Sequence, residues 1–240
     1  MKLCQQWFAS IAAASSAVGF LSMASLPAQA IPEAQVIEKL KNIPVYVITD
    51  DQGVMVQATI GGAKTQPEQV STGVFFTNQD AQTFLDRSIR KQQPDLIKVI
   101  KVTQVSLGEI YRRKQANKNK PQELNYVYVP SPQQATAAIA ILKQNGQKAV
   151  QITDQPVFIA TIISKAGREE YLTFQRGGRD IIPLFFSKDT LQATVRKVYP
   201  ALAGKSKIQV VELTYLLNYM TTTDDAVVNG FEFNPNMEGR

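Results

Sequence analysis

Residues 44–62 read PVYVITDDQGVMVQATIGG, and residues 156–178 read PVFIATIISKAGREEYLTFQRGG. Each stretch opens on a proline, runs through β-branched and aromatic residues and turns near a glycine, Gly53 or Gly167. Each then runs back and closes on a Gly-Gly pair, which is the pattern of a β-hairpin, met twice. The likeness continues downstream. Val74-Phe75-Phe76-Thr77 and Leu184-Phe185-Phe186-Ser187 are short apolar strands ending on a residue suited to cap a helix. Asp80, three residues after Thr77, completes a capping box. Ala81, Leu85 and Ile89 in one stretch, and Leu191, Val195 and Tyr199 in the other, recur at helical spacing. Pro94 and Pro200 stop these helices. Strands at 97–105 and 208–213 lead to the caps Ser106 and Thr214, and Ser106 with Glu109 opens a short helix through Tyr111. The correspondence predicts an internal duplication with a period of about 110 residues.

A further unit lies between the blocks. Residues 124–129 form a strand, and Ser131-Pro132 starts a helix with Gln134 three beyond the cap. Ala135, Ala138, Ile139 and Leu142 are its buried stripe, and Asn145-Gly146 ends it. The second block carries a stub, residues 231–233, matched to Val127-Tyr128-Val129. The fold class expected is α/β (α+β): two similar lobes related by a pseudo-two-fold, 31–150 and a C-terminally truncated 151–240, joined in one unit.

The first thirty residues stand apart. Met1-Lys2, an apolar run from Trp7 to Leu21 and Ala28-Gln29-Ala30 have the three parts of a secretory signal peptide, with cleavage expected after Ala30. The run is shorter than the ~20 residues of a membrane span. The whole chain carries a net charge of +6 and no histidine; loss of Lys2 leaves +5, and the only Cys and Trp leave with the peptide. Without histidine there is no Ser-His-Asp or Cys-His nucleophile and no His-ligated metal site. A single cysteine makes no internal disulfide or thiolate cluster. No cofactor or metal is expected, and no enzyme activity. The acid pairs Asp50-Asp51 and Glu169-Glu170 sit beside turns, where solvated carboxylates are ordinary.

Two features point to surfaces that bind. Phe75-Phe76 and Phe185-Phe186 recur just before the caps, and neighbours in a strand face opposite sides. Either the sheet is buried on both faces or one phenylalanine of each pair lines an apolar groove. Val74, Phe75, Tyr128 and Phe185 are the groove candidates for an unfolded client. Residues 87–120 hold ten Lys or Arg and two acids, whereas five acids and one Arg follow from Glu212 onward. Arg112, Arg113 and Lys114, expected in a polar loop with Lys118 and Lys120, are the candidates for an anionic partner. Peripheral membrane contact fits such a patch, and export argues against nucleic acid.

The run VYVITDDQG, Gly-Gly, VFFT, VSLGEIYR, YVYVPSPQQATAAIAIL, then PVFIA, Gly-Gly and PLFFS resembles the 22-kDa subunit family of the chloroplast Tic translocon, in particular its cyanobacterial members, over residues 31 to about 235. The resemblance implies a protein-transport factor of the periplasm, with chaperone-like behaviour. It would hold unfolded outer-membrane precursors near an Omp85-type assembly protein, and it implies two wings with an apolar pocket on each side. The thylakoid lumen is the other compartment that such a leader serves. The competing expectation is a structural adaptor bridging translocation complexes, which binds folded partners through the basic stretch.

Overall fold

The proline that opens each quoted stretch also opens the central strand of a half. This computed structural model describes residues 30–60, 69–90, 95–120, 123–147 and 151–234. In the first half, β1 (Pro44–Asp50) pairs antiparallel with β4 (Ile100–Ser106), Pro44 facing Ser106. β2 (Ala58–Ile60) lies antiparallel on β3 (Gln69–Phe75), which meets β1 where Phe75 faces Tyr46. β5 (Asn125–Val129) runs parallel to β3. In the second half, β6 (Pro156–Ile163) carries β7 (Glu169–Tyr171) on one edge and β10 (Lys207–Glu212) on the other, with Pro156 facing Glu212. β8 (Phe174–Arg176) lies antiparallel on β9 (Arg179–Leu184), and β11 (Phe231–Phe233) runs parallel to β9. The paired backbone bonds of Phe158 and Phe185, at 2.7 and 3.0 Å, tie β6 to the end of β9.

The pairings of the two halves therefore correspond: β1 with β6, β2 with β8, β3 with β9, β4 with β10 and β5 with β11. Duplication of an ancestral segment is a proposal that this correspondence supports. Register corrects the sequence alignment in two places. Ser106 answers to Glu212, not Thr214, and Tyr126 answers to Phe231, because Thr72 faces Tyr126 as Ile182 faces Phe231. The hairpins are also shorter than expected. In the first, Val56 still bonds to Ile48, and the chain then leaves β1 for β3. In the second, Gly177-Gly178 is not the end of the hairpin on β6 but the turn between β8 and β9, both residues with positive φ, a conformation open to glycine. Gly61-Gly62 and Pro94 lie outside the described residues.

The helices are α1 (Glu33–Leu40), α2 (Asn78–Phe84, continued by a wide turn over Leu85–Ile89), α3 (Leu107–Asn117), α4 (Pro132–Gln144), α5 (Lys188–Val198) and α6 (Leu213–Thr222). Capping follows the sequence at three of them. Thr77, Ser106 and Ser187 accept the backbone N–H three residues on, from Asp80, Glu109 and Thr190. Thr214 is not the cap of α6. Its own N–H is instead satisfied by Asp154 Oδ2 at 2.9 Å, from the segment before β6. Gln134 does not return to its own cap; its Oε1 accepts the N–H of Lys188 at 3.1 Å, at the start of α5.

Three apolar clusters result. The central one joins inner faces of both halves: Val45, Val47, Val74, Phe76 and Tyr128 meet Val157, Ile159, Leu184, Phe186 and Phe233, with α1, α3 and α6 around them. One outer cluster places Ile48, Phe75 and Ile100 under α2. The other places Phe158, Ala160 and Phe185 under α5, and α4 adds Ala138 and Ile141 to it. So α4, which precedes residue 150 in sequence, lies in space on the sheet of the second half.

Candidate apolar cleft of the first half

A strand covered on both faces leaves its side chains no outlet, and that is the situation of most of the groove candidates. Val74 is fully buried in the central cluster, and Phe185 is 1% exposed in the second outer cluster. Both are core residues in this structure, not groove residues. The physical reason is the pair of covers: the opposite half on one face, helices on the other. Phe75 points outward and Phe76 inward, as alternation requires, and the same holds for Phe185 and Phe186.

Phe75 nevertheless forms the floor of an opening. A cleft of about 200 Å³ is lined by Ile48, Val56, Gly73, Phe75, Phe84 and Leu96, among others. Gly73 belongs there for a steric reason: a Cβ at that position would stand 3.0 Å from the Phe75 ring. Phe84 leans on Phe75 with ring centroids 5.2 Å apart, yet it stays 43% exposed. Phe84 falls at the helical spacing of Ala81, Leu85 and Ile89, which reads as a buried stripe, but here it lines the cleft instead.

The corresponding place in the second half is full. Register aligns Ala58 with Phe174 and Ser71 with Ile181, and the shared helix stripe aligns Ile89 with Tyr199. Phe174 and Tyr199 meet edge to face at 5.2 Å, and the Tyr199 hydroxyl donates to the Thr173 carbonyl at 2.9 Å. Beside them α4 covers the sheet, so Phe158 is fully buried while its counterpart Tyr46 is half-buried. The groove alternative called for two equivalent grooves. The structure instead has an open apolar face on the first half and a plugged, helix-covered one on the second.

Tyr128 lies in the central core at 2% exposure and touches a second, more polar cleft of about 520 Å³. Ile31, Tyr111, Lys114, Leu217 and Thr221 are among its other walls. Lys114 Nζ sits 5.2 Å above the Tyr128 ring, a cation–π arrangement. Burial pulls the Lys114 ammonium below its ordinary pKa, against the opposing pull of Asp154 and Glu123. Burial also pushes the Tyr128 hydroxyl up, and that oxygen has no hydrogen-bond partner among the described residues.

Arg112, Arg113 and Lys114 stand on α3, not in a loop, because the residues after Tyr111 are good helix formers and prolong the helix to Asn117. Arg112 bonds Glu109 through two nitrogens at 2.9 and 2.8 Å, and Arg113 bonds it at 2.6 Å. Those hydrogen bonds hold the Glu109 carboxyl below its usual range. With Lys114 turned onto Tyr128, the three cations are engaged within their own helix and its neighbour. One acid of each pair serves structure: Asp50 accepts the N–H groups of Gln52 and Val54, and Glu169 accepts from Thr161 and Gln209. Among the described residues no group of three or more Asp, Glu, His or Cys is placed to hold a metal, and no helix is long and apolar enough to cross a membrane.

Two corresponding half-sheets that share one core, each with helices outside, define a two-half α/β protein. A model of the Tic22-like family matches residues 3–235, and the chain belongs to that family. It is similar to the chloroplastic protein TIC 22 of Arabidopsis thaliana, 24% identical over 206 residues, covering 85% of this chain and 68% of that one. Tic22 of Anabaena, a protein of protein transport, superposes with a TM-score of 0.70 at 27% identity, covering 85% of this chain and 93% of that chain. Tic22 of Plasmodium falciparum shares the fold with a TM-score of 0.62 at 24% identity, over 83% and 91% of the two chains.

Proposed function

We propose that this protein acts in protein transport as a passive holder of unfolded precursors. Its place is the periplasm, or the thylakoid lumen, and its clients are outer-membrane proteins on their way to an Omp85-type assembly protein. The observation that carries the reading is the unequal treatment of two corresponding surfaces. The second half covers its outer apolar face with α4 and fills its cleft with Phe174 and Tyr199, whereas the first half leaves Phe84 exposed and Tyr46 only partly buried beside Phe75. An exposed apolar surface of this kind is where a soluble protein meets a partner. A precursor strand of a barrel offers apolar side chains on alternate residues, which suits a shallow cleft beside a sheet. No chemistry is assigned to the site: binding is by burial, and release is by transfer to a tighter acceptor.

The adaptor reading draws less support. It depends on the basic stretch, and Arg112 and Arg113 are already paired with Glu109. The deciding test is suppression of aggregation of a urea-unfolded outer-membrane barrel protein on dilution, without nucleotide. Reduced light scattering at stoichiometric protein is the expected result. Unchanged scattering at excess protein, with binding to a folded membrane complex instead, moves the assignment to the adaptor.

A further inference from the structure

Ile31 is the residue at which the described fold begins to be buried. Its side chain is 2% exposed and belongs to the central cluster. Its backbone nitrogen donates to the carbonyl of Met220 at 2.9 Å. Met220 lies in the last turn of α6, where carbonyls point away from the helix without intrahelical partners and the helix dipole is negative. Other donors serve the neighbouring carbonyls: Thr221 and Thr222 hydroxyls reach Leu217 and Asn218, and the Thr223 N–H reaches Tyr219. The last turn of α6 contains no basic residue. Ala30, one position earlier, is only half-buried and forms part of the wall of the larger cleft.

We propose that the chain is cut between Ala30 and Ile31 and that the amino group so released is a structural part of the mature protein, an ammonium seated on the C-terminal end of α6. The cut adds water across the peptide bond: its oxygen goes to the Ala30 carboxylate and both its protons to the Ile31 nitrogen, which becomes –NH3+. One N–H keeps the bond to Met220, and the positive charge meets the negative end of α6, whose last turn carries no basic residue of its own. The other two occupy the space at the cleft wall that the bond to Ala30 vacates. This inference rests on the reading of residues 1–30 as a leader, but not on what the protein binds.

The ionisable groups around that cleft are Glu33 on α1, Tyr111, Lys114 and Lys118 on or beside α3, and Glu123 and Tyr128 at β5; α6 contributes none to its wall. All are shared by chains that differ only at the amino group, so such a pair isolates its effect. The test compares thermal unfolding of a chain starting at Ile31 with a free amine and the same chain acetylated at Ile31, in low salt at pH 7 and at pH 10. The free-amine chain is expected to melt about 1–4 °C higher at pH 7, the range that a helix-end charge supplies for a protein of this size. At pH 10, well above the ordinary α-amino pKa of about 7.7–8.0, the difference is expected to vanish. Equal melting at both pH values, or a difference that persists at pH 10, overturns the proposal. So does an N-terminal residue other than Ile31 in the protein isolated from its own cells. Failure of client binding touches none of these readouts.

Discussion

Phe76 and Phe186 meet ring to ring at the centre of the molecule, centroids 5.0 Å apart and planes 34° from parallel. They occupy the same position in the two halves, the inward neighbour of Phe75 and of Phe185. Phe233 stacks on Phe186 at 5.6 Å, and Tyr128 stands edge-on to Phe76 at 6.3 Å. The contact explains why two sheets of modest size form one core: each buries its inner phenylalanine against that of the other.

Truncation of either ring is therefore expected to loosen both halves together. Phe76→Ala or Phe186→Ala should each cost about 3–5 kcal/mol, the range for emptying a buried phenylalanine site. The double variant should cost less than the two singles combined, since the second truncation removes a partner already lost. Urea unfolding followed by circular dichroism measures both, and additive losses would show that the rings do not act as a pair.

Asp154 replaces the cap residue that α6 lacks, accepting from Thr214 and, through its other oxygen, from Gln155. Asp154→Ala is expected to cost about 1 kcal/mol, typical of a lost N-cap. Thr214→Ala, by contrast, leaves the backbone donor in place and should change stability little in the same urea measurement.

Glu109 gives the acid limb of stability a recognisable component. Its pKa in the folded chain lies below the usual carboxylate range because Arg112 and Arg113 hydrogen-bond the ionised carboxylate. A carboxyl depressed by folding contributes stability that is fully present above its unfolded pKa and is lost as pH falls through the folded one. These are surface ion pairs of the two arginines with one carboxylate, so the contribution is small. A double Arg112→Gln, Arg113→Gln chain should show a smaller loss between pH 5 and pH 3, checked by urea midpoints across that range.

Most of the elements were legible in the sequence, and the reasons are local. The caps at Thr77, Ser106 and Ser187 depend on the residue three positions on, and the outward-inward alternation of Phe75-Phe76 depends only on strand geometry. What could not be read were relations over distance. Whether Phe75 lines a cleft is decided by Ala58 on β2 and Ile89 after α2, each on an element other than its own strand. That α4 covers the second half is decided by Gln134 meeting the start of α5, more than fifty residues away. The basic stretch misled for a local reason: Asn and Gln made 112–120 look like a loop, while Glu109 and good helix formers carried α3 through it to Asn117.

The central claim is that the open cleft of the first half binds the client, and the second half supplies the means to close it. Ala58→Phe with Ile89→Tyr transplants the Phe174–Tyr199 plug into the first half. The measurement is light scattering of a urea-unfolded outer-membrane barrel protein, diluted into equimolar wild-type or plugged protein, with circular dichroism to show that both are folded. The account predicts that the wild-type chain suppresses aggregation and that the plugged chain, equally folded, loses most of that effect. Undiminished suppression by a folded, plugged chain would contradict it.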